Sequence, residues 1–325
     1  MTSFNFPKYS SYIYENYSFE FKNKEWKTYL QENGFVVIKN AMKKEDCENY
    51  KKKLWKVLKA LGNADLNDIA NRKWGKNYPT SLHGGMFNIG HTRTQWKIRN
   101  STKYIYEDLW DSKDLITSFD KFTYMVKERS YQKNPLSKWI HMDQSIHNKE
   151  QSYQGLLCLS DNMNFKSGGN ICIPKSHLQI KEIVEKDGNY TKQDWIKLTD
   201  EFKDLYVDEE NILKVQTKTG DFILWDSRIV HANTAPINKG DERYERVCVY
   251  VCMRKRSDAN KRTINRRKKA FDELRSTTHN PAKFKLFEKD LGRWGELTCE
   301  EIFKRLNKRN LLITEDDKAE FINLV

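Results

Sequence analysis

Trp139-Ile140-His141-Met142-Asp143-Gln144 is the stretch on which the reading of this chain turns. In an extended strand successive side chains alternate between faces, so Trp139, His141 and Asp143 share one side while Ile140 and Met142 share the other. An imidazole and a carboxylate two residues apart on one face can both reach one metal ion. A third ligand has to come from elsewhere, and His231 is placed to supply it. Two neutral histidines and one carboxylate are the donor set that holds non-haem Fe(II) while leaving coordination positions open. Taken alone, a His-x-Asp triplet is weak evidence, and a strand end carrying a solvated Asp is the commoner reading.

The segment around His231 strengthens the first reading. Gly220-Asp221 is a turn signal, Phe222-Ile223-Leu224-Trp225 is a short apolar strand-like run, and His231 follows a polar break at Asp226-Ser227-Arg228. A polar loop bearing Pro236 and Gly240 leads to Arg246, which directly precedes the apolar, β-branched run Val247 to Met253. An arginine at the mouth of a buried strand is costly unless it meets an anion. A guanidinium fork suits a carboxylate held bidentately, and an ordinary loop salt bridge to Glu245 or Asp241 is the plainer use.

Several ordered segments then resemble the phytanoyl-CoA dioxygenase-like family of Fe(II)- and 2-oxoglutarate-dependent oxygenases. They are Ser118-Phe119-Asp120, His141-Met142-Asp143-Gln144, Gln154-Gly155-Leu156-Leu157, the Gly168-Gly169 to Pro174-Lys175-Ser176-His177 signature, and Gly220 to Pro236. The resemblance runs roughly from Leu30 to Pro281. It implies that His141, Asp143 and His231 are iron ligands and that Arg246 binds the distal carboxylate of 2-oxoglutarate, with Arg243 as the rival and Tyr124 as a helper. It implies hydroxylation of an organic substrate with release of succinate and CO2. Asp143 favours hydroxylation, since related halogenases carry a small residue at that position. Lys175 stands where the family usually has glycine, which suggests a different turn there. His177 reads as a structural residue of that turn and not as a fourth ligand.

Composition frames this reading. The chain has 325 residues, 38% hydrophobic and 13% aromatic, enough for a substantial core. No stretch approaches the roughly 18 apolar residues of a membrane span, and the amino terminus lacks the form of a signal peptide. Six cysteines, most of them inside apolar runs and without a Cys-x-x-Cys pair, fit a reduced, cytoplasmic setting.

The periodicities predict a helix over Trp26 to Asn33 stopped by Gly34, a strand at Phe35 to Ile38, and an amphipathic helix from Lys44 to Leu61. Asn63 to Gly90 reads as an irregular loop covering a pocket. From Gln95 to Met253 short strands split by turns dominate, the pattern of a jelly-roll. Lys181 to Leu205 is a more helical insertion, and Thr298-x-x-Glu301 is a capping box opening a helix. The expected fold is mainly β with flanking helices, a double-stranded β-helix of the jelly-roll, cupin-like kind. It forms one catalytic domain over 1–325, with a helical region at 20–95, a core at about 95–255 and a helical, basic region at 256–325. Trp96 and Arg99 are expected to line the substrate side; the alternative has Trp96 in the core and Arg99 in a surface ion pair.

Formal net charge is +13, and nine Lys/Arg lie between Arg254 and Lys269 against a single acidic residue, Asp258. That cluster is either a solvated basic helix, a nucleic-acid surface, or a handle for an anionic substrate group such as phosphate or coenzyme A. Two function classes follow. One is an oxygenase with Fe(II) and 2-oxoglutarate acting on a small-molecule or lipid-like substrate. The other is a non-catalytic jelly-roll that binds nucleic acid or a partner through its basic surface.

Overall fold

Gly34 shows how local chemistry sets the first turn of the fold. Helix Glu25–Asn33 ends there, in the left-handed region at φ 80°, with the Gly34 N–H bonded to Leu30 O at 2.8 Å. A Cβ at this position would lie 2.5 Å from Nδ1 of His177, so glycine is needed both for its backbone angle and for space. The computed structural model describes residues 12–61, 89–125, 140–191, 193–207, 210–234, 236, 244–287 and 297–325. They divide into two compact units.

The first unit comprises Met1–Ala41, Val126–Gly155 and Asp161–Arg246. One of its sheets orders Ser18–Glu20, Phe35–Lys39, Phe222–Asp226 and the start of Tyr153–Cys158. Phe35–Lys39 runs parallel to the first of these strands and antiparallel to Phe222–Asp226. The other sheet orders Ile196–Lys197, His141–Met142, His231–Thr234, Gly169–Cys172 and Leu213–Lys214. His141–Met142, Tyr153–Cys158 and Gly169–Cys172, and later Leu213–Lys214, Phe222–Asp226 and His231–Thr234, alternate between the two sheets, as in a double-stranded β-helix.

Alternation along the second sheet does the important sorting. Met142, Ile171, Val230 and Ala232 join a buried apolar cluster with Ile183, Val184, Ile196 and Phe202. The intervening residues, His141, Asn170, Cys172, His231 and Asn233, therefore face the opposite way. Burial of the apolar set fixes the register, and the register fixes where the histidines point.

The second unit comprises Met42–Met125, Leu156–Ser160 and Val247–Val325. Cys248, Val249 and Tyr250 pair antiparallel with Cys158, Leu157 and Leu156, and Leu115–Thr117 pairs with Met253–Lys255. Helices Lys44–Leu61, Arg93–Trp110, Lys261–Asp272, Cys299–Asn307 and Glu315–Phe321 complete it. The amphipathic reading of Lys44 to Leu61 holds, with Cys47, Leu54, Val57, Leu58 and Leu61 buried.

The segment from Gln95 differs from the strand-rich expectation. Arg93–Trp110 is an 18-residue helix, opened by a reciprocal capping box between Thr92 and Gln95. Its buried residues, Trp96, Arg99, Thr102, Ile105 and Tyr106 among them, recur at helical spacing. Polar residues on that face, Arg99 and Thr102, hid the stripe in the sequence. The expected loop between Asn63 and Gly90 lies outside the described residues except at its end.

Lys175 also corrects an expectation. It occupies the left-handed region at φ 65°, so the turn that suits glycine is kept, pinned by the Lys175 N–H on Asn33 O at 3.0 Å. His177 caps the same corner through Nε2, 2.9 Å from Gln31 O. A side chain at positive φ costs about 1–2 kcal/mol, partly offset by glycine's greater entropy when unfolded. Lys175→Gly should therefore stabilise the protein by roughly 0.5–1 kcal/mol, read as a higher urea midpoint at unchanged slope.

The basic segment is partly structural. Arg254 pairs with Asp258 at 2.8 Å, and Arg256 with Asp114 at 2.8 Å. Arg267 is fully buried and donates to the carbonyls of Val325, Pro281, Thr117 and Leu324. Lys261, Arg262, Arg266, Lys268 and Lys269 remain on the exposed face of their helix. All six cysteines are buried and none is in a disulfide. Among the described residues no helix is long and apolar enough to cross a membrane.

Candidate metal centre

His141 and His231 are direct register partners on adjacent antiparallel strands, so their side chains leave the sheet on the same face. Their rings lie 4.3 Å apart between centroids. Asp143 sits just past the two-residue strand His141–Met142, held by its N–H on Ser227 O at 2.8 Å. Its Oδ2 is 3.6 Å from His141 Nε2 and 3.3 Å from His231 Nε2. One donor atom from each residue falls within 4.8 Å of the other two. All three side chains are at most 8% exposed.

The second ring nitrogen of His231 fixes which atom faces the cluster. Nδ1 is 3.0 Å from the Ile229 carbonyl, which can only accept, so Nδ1 carries the proton and Nε2 keeps its lone pair. Burial, reinforced by His141, pushes the His231 pKa below its ordinary value. The neutral imidazole that a metal requires is thus the favoured form. Gln154 Nε2 donates to Asp143 Oδ2 at 2.8 Å, orienting the carboxylate. Gln154→Leu should leave the fold intact and weaken iron binding by about 10–100-fold, measured by iron titration against a chelator of known affinity.

Arg246 opens the strand Arg246–Tyr250 and is 1% exposed. Its Nη2 donates to Asn233 Oδ1 at 2.6 Å, and Asn233 lies two residues beyond His231 on the same face. Asn170, the register partner of Asn233, has a buried Nδ2 with no hydrogen-bond partner among the described residues. Trp225, whose ring is 5.6 Å from His231, has a buried Nε1 in the same state. Lys214, bonded to Ser167 Oγ at 3.1 Å, has its pKa pulled down to about 8 by burial, with Asp161 opposing and Arg246 adding to the shift. Buried donors lacking acceptors beside a His-Asp-His cluster and a guanidinium fit an anionic diacid next to a ferrous ion.

The surroundings of the other expected residues are these. Trp96 and Arg99 are fully buried in the second unit. Trp96 donates to His91 Nδ1 at 3.3 Å and stacks on Phe321. Arg99 donates to the carbonyls of Gly90 and Asp120 at 2.7 and 2.8 Å. Their surfaces are taken up by the core, which corrects the expectation that they line a pocket; Arg99 is not a surface ion pair either. Tyr124 is buried in the second unit against Trp55, rings 5.6 Å apart. Arg243 and Trp139 lie outside the described residues. The sequence reading overlooked Asn170 and Asn233 as site residues, although Asn233 stands at the strand-period offset from His231.

Comparison with known proteins agrees with this geometry. The phytanoyl-CoA dioxygenase (PhyH) family model matches residues 30–243. The chain is 24% identical over 281 residues to the Ava biosynthesis cluster protein O of Aspergillus versicolor, covering 80% of this chain and 87% of that one. Among solved structures it is similar to GlcNAc Inducible Gene 2 (GIG2) of Candida albicans, with a TM-score of 0.54 and 14% identity over 79% of this chain and 70% of that one. It is also similar to EctD of S. alaskensis, solved with 2-oxoglutarate and 5-hydroxyectoine, with a TM-score of 0.47 and 12% identity over 73% of this chain and 78% of that one. The rival reading, a non-catalytic jelly-roll acting through its basic surface, finds no support in these relatives. The chain belongs to the phytanoyl-CoA dioxygenase (PhyH) family and is a non-haem iron, 2-oxoglutarate-dependent oxygenase.

Proposed function

We propose that His141, Asp143 and His231 hold the ferrous ion, that Arg246 grips the distal carboxylate of 2-oxoglutarate, and that the enzyme hydroxylates a small organic molecule in the cytoplasm. The observation that carries this is the convergence of Asp143 Oδ2 with both histidine Nε2 atoms on the sheet face that also presents Asn233 and its bonded Arg246. Two neutral imidazoles and one carboxylate leave a divalent ion one net positive charge, which suits an anionic chelating cosubstrate.

Bound iron with 2-oxoglutarate would supply the oxidising power, coupling decarboxylation to succinate with insertion of oxygen into substrate. The chain's own residues position and shield. Gln154 keeps the Asp143 carboxylate turned toward the histidines. The Ile229 carbonyl holds His231 in the tautomer that offers Nε2. Arg246, steadied by Asn233, and the Asn170 amide would orient the diacid. Trp195, 42% exposed with its ring 6.1 Å from His141, would offer an apolar surface to a substrate beside the metal. The whole chain acts as one catalytic domain in this reading, since strands Tyr153–Cys158 and Arg246–Tyr250 each contribute residues to both units.

The test is succinate release from 2-oxoglutarate by the purified protein with Fe(II) and a panel of small-molecule candidates. Turnover that needs both iron and 2-oxoglutarate, and that is lost in His231→Ala, is the expected result. Turnover that survives in His231→Ala would overturn the ligand assignment.

A further inference from the structure

Within the second unit a different set of donors converges. Asp120 follows the strand Leu115–Thr117, Cys252 links the strands Arg246–Tyr250 and Met253–Lys255, and His279 lies beyond the helix Lys261–Asp272. One donor atom from each falls within 4.8 Å of the other two. His279 Nδ1 is hydrogen-bonded to Asp120 Oδ2. The Asp120 side chain is fully buried, Cys252 is 2% exposed, and the His279 side chain is 27% exposed.

The backbone around the three is fixed before any ligand arrives. Ser118 N–H and Thr117 Oγ1 both donate to Cys252 O, at 2.8 and 3.4 Å. Phe119 and Thr277 exchange two bonds, Phe119 N–H to Thr277 Oγ1 at 2.9 Å and Thr277 N–H to Phe119 O at 3.0 Å. Arg99 Nη2 and Gln95 Nε2 converge on Asp120 O at 2.8 and 3.0 Å. Three segments distant in sequence are thus sewn together at the point where their donors meet.

We propose that Asp120, Cys252 and His279 form a second metal site, for a thiophilic divalent cation such as Zn(II), independent of the iron centre. Thiolate, imidazole and carboxylate are the ordinary zinc donors, and three protein ligands with a water in the fourth position is a common zinc arrangement. Charge balance favours it, since one carboxylate, one thiolate and one neutral imidazole around a divalent cation sum to zero, which a buried site tolerates best. Uptake releases the thiol proton to solvent; the proton held between His279 Nδ1 and Asp120 Oδ2 leaves as well, moving to Nε2 of a neutral ring or to solvent from an imidazolium, and the hydrogen bond is replaced by two bonds to the metal. The other carboxylate oxygen already has its partners: Asp120 Oδ1 accepts from Lys121 N–H at 2.7 Å and lies 4.0 Å from Lys121 Nζ. Oδ2 is therefore the oxygen left to bind the metal. His279 is the most exposed of the three, at 27% of its side chain, and a cation and a fourth-position water would come from its side.

Co(II) distinguishes this site from the iron centre, because thiolate coordination to Co(II) produces an intense near-ultraviolet charge-transfer band and the His-Asp-His set contains no sulfur. Full-length wild type and His231→Ala, each stripped of metal, are titrated with Co(II). The expected result is the thiolate band in both proteins, displaced by added Zn(II), absent in Cys252→Ser, and requiring about tenfold or more Co(II) in His279→Gln. Circular dichroism establishes that each variant is folded. His279→Gln alters a partly exposed residue and carries the test should Cys252→Ser fail to fold. No thiolate band in either wild type or His231→Ala overturns the site, as does a band that persists in Cys252→Ser or is unchanged in His279→Gln. Loss of iron-dependent turnover alone would not move this readout, so the two centres are judged separately.

Discussion

Asp143→Ala is expected to reduce iron affinity by on the order of a thousandfold and to bring succinate release to background. The magnitude follows from what the carboxylate does. It is the only anionic donor in the proposed set, and its Oδ2 lies 3.3 and 3.6 Å from the two histidine nitrogens. Losing a residue that merely orients a ligand costs about 10–100-fold in metal affinity, and losing the ligand itself costs more. Without it two neutral imidazoles would have to hold a divalent charge in a site where every side chain is nearly inaccessible, and burial of an uncompensated charge is strongly unfavourable. Asp143→Asn separates charge from shape. It keeps the carbonyl oxygen and the volume but removes the negative charge, so iron binding should fall nearly as far as in the alanine variant. Iron content after anaerobic reconstitution, turnover and circular dichroism are measured together. A folded Asp143→Ala protein that retains its iron and its turnover would remove Asp143 from the centre.

How much of this was legible beforehand depends on the kind of signal. His141, Asp143 and His231 could be paired across a long stretch of chain because strand alternation is a property of local backbone geometry, and the apolar residues between them, Met142, Val230 and Ala232, had to face a core. Arg246 stood out because a charge in front of an apolar run needs an explanation, and it is indeed buried beside Asn233. The helix Arg93–Trp110 was missed for the converse reason. Its inward face carries Arg99 and Thr102, whose polar groups are satisfied by backbone carbonyls, and a stripe containing an arginine does not register as apolar. Trp96 and Arg99 therefore read in sequence as residues of a substrate side, whereas tertiary packing buries both. The basic run from Arg254 to Lys269 misled in the same way: Arg267 satisfies four carbonyls inside the second unit, a use that charge counting does not reveal. Asn170 and Asn233 were invisible as site residues because only register brings them opposite each other.

Arg246→Met should weaken 2-oxoglutarate binding while leaving iron binding unchanged, and that separation makes it the sharper test of the cosubstrate site. Methionine preserves the length and apolar contacts of the buried stem, so the loss is confined to the guanidinium. Removing one partner of a buried, hydrogen-bonded charge pair costs about 2–5 kcal/mol, equivalent to roughly 30- to 4000-fold in dissociation constant. Arg246→Lys restores the positive charge but not the planar fork, and should recover only part of the affinity. Two side reactions are controlled by geometry. Asn233 loses the Arg246 hydrogen bond at 2.6 Å in the methionine variant, so Asn233→Ala is measured alongside; a small effect there assigns the loss to the guanidinium and not to a disturbed neighbour. Arg243→Met, the rival three residues earlier in the chain, is the parallel variant. If 2-oxoglutarate affinity is unchanged in Arg246→Met and collapses in Arg243→Met, the carboxylate clamp belongs to Arg243. If iron affinity falls with Arg246→Met as steeply as 2-oxoglutarate affinity does, Arg246 supports the whole sheet face and does not read the diacid. Retained iron with lost 2-oxoglutarate is the outcome that a guanidinium reaching for a distal carboxylate requires.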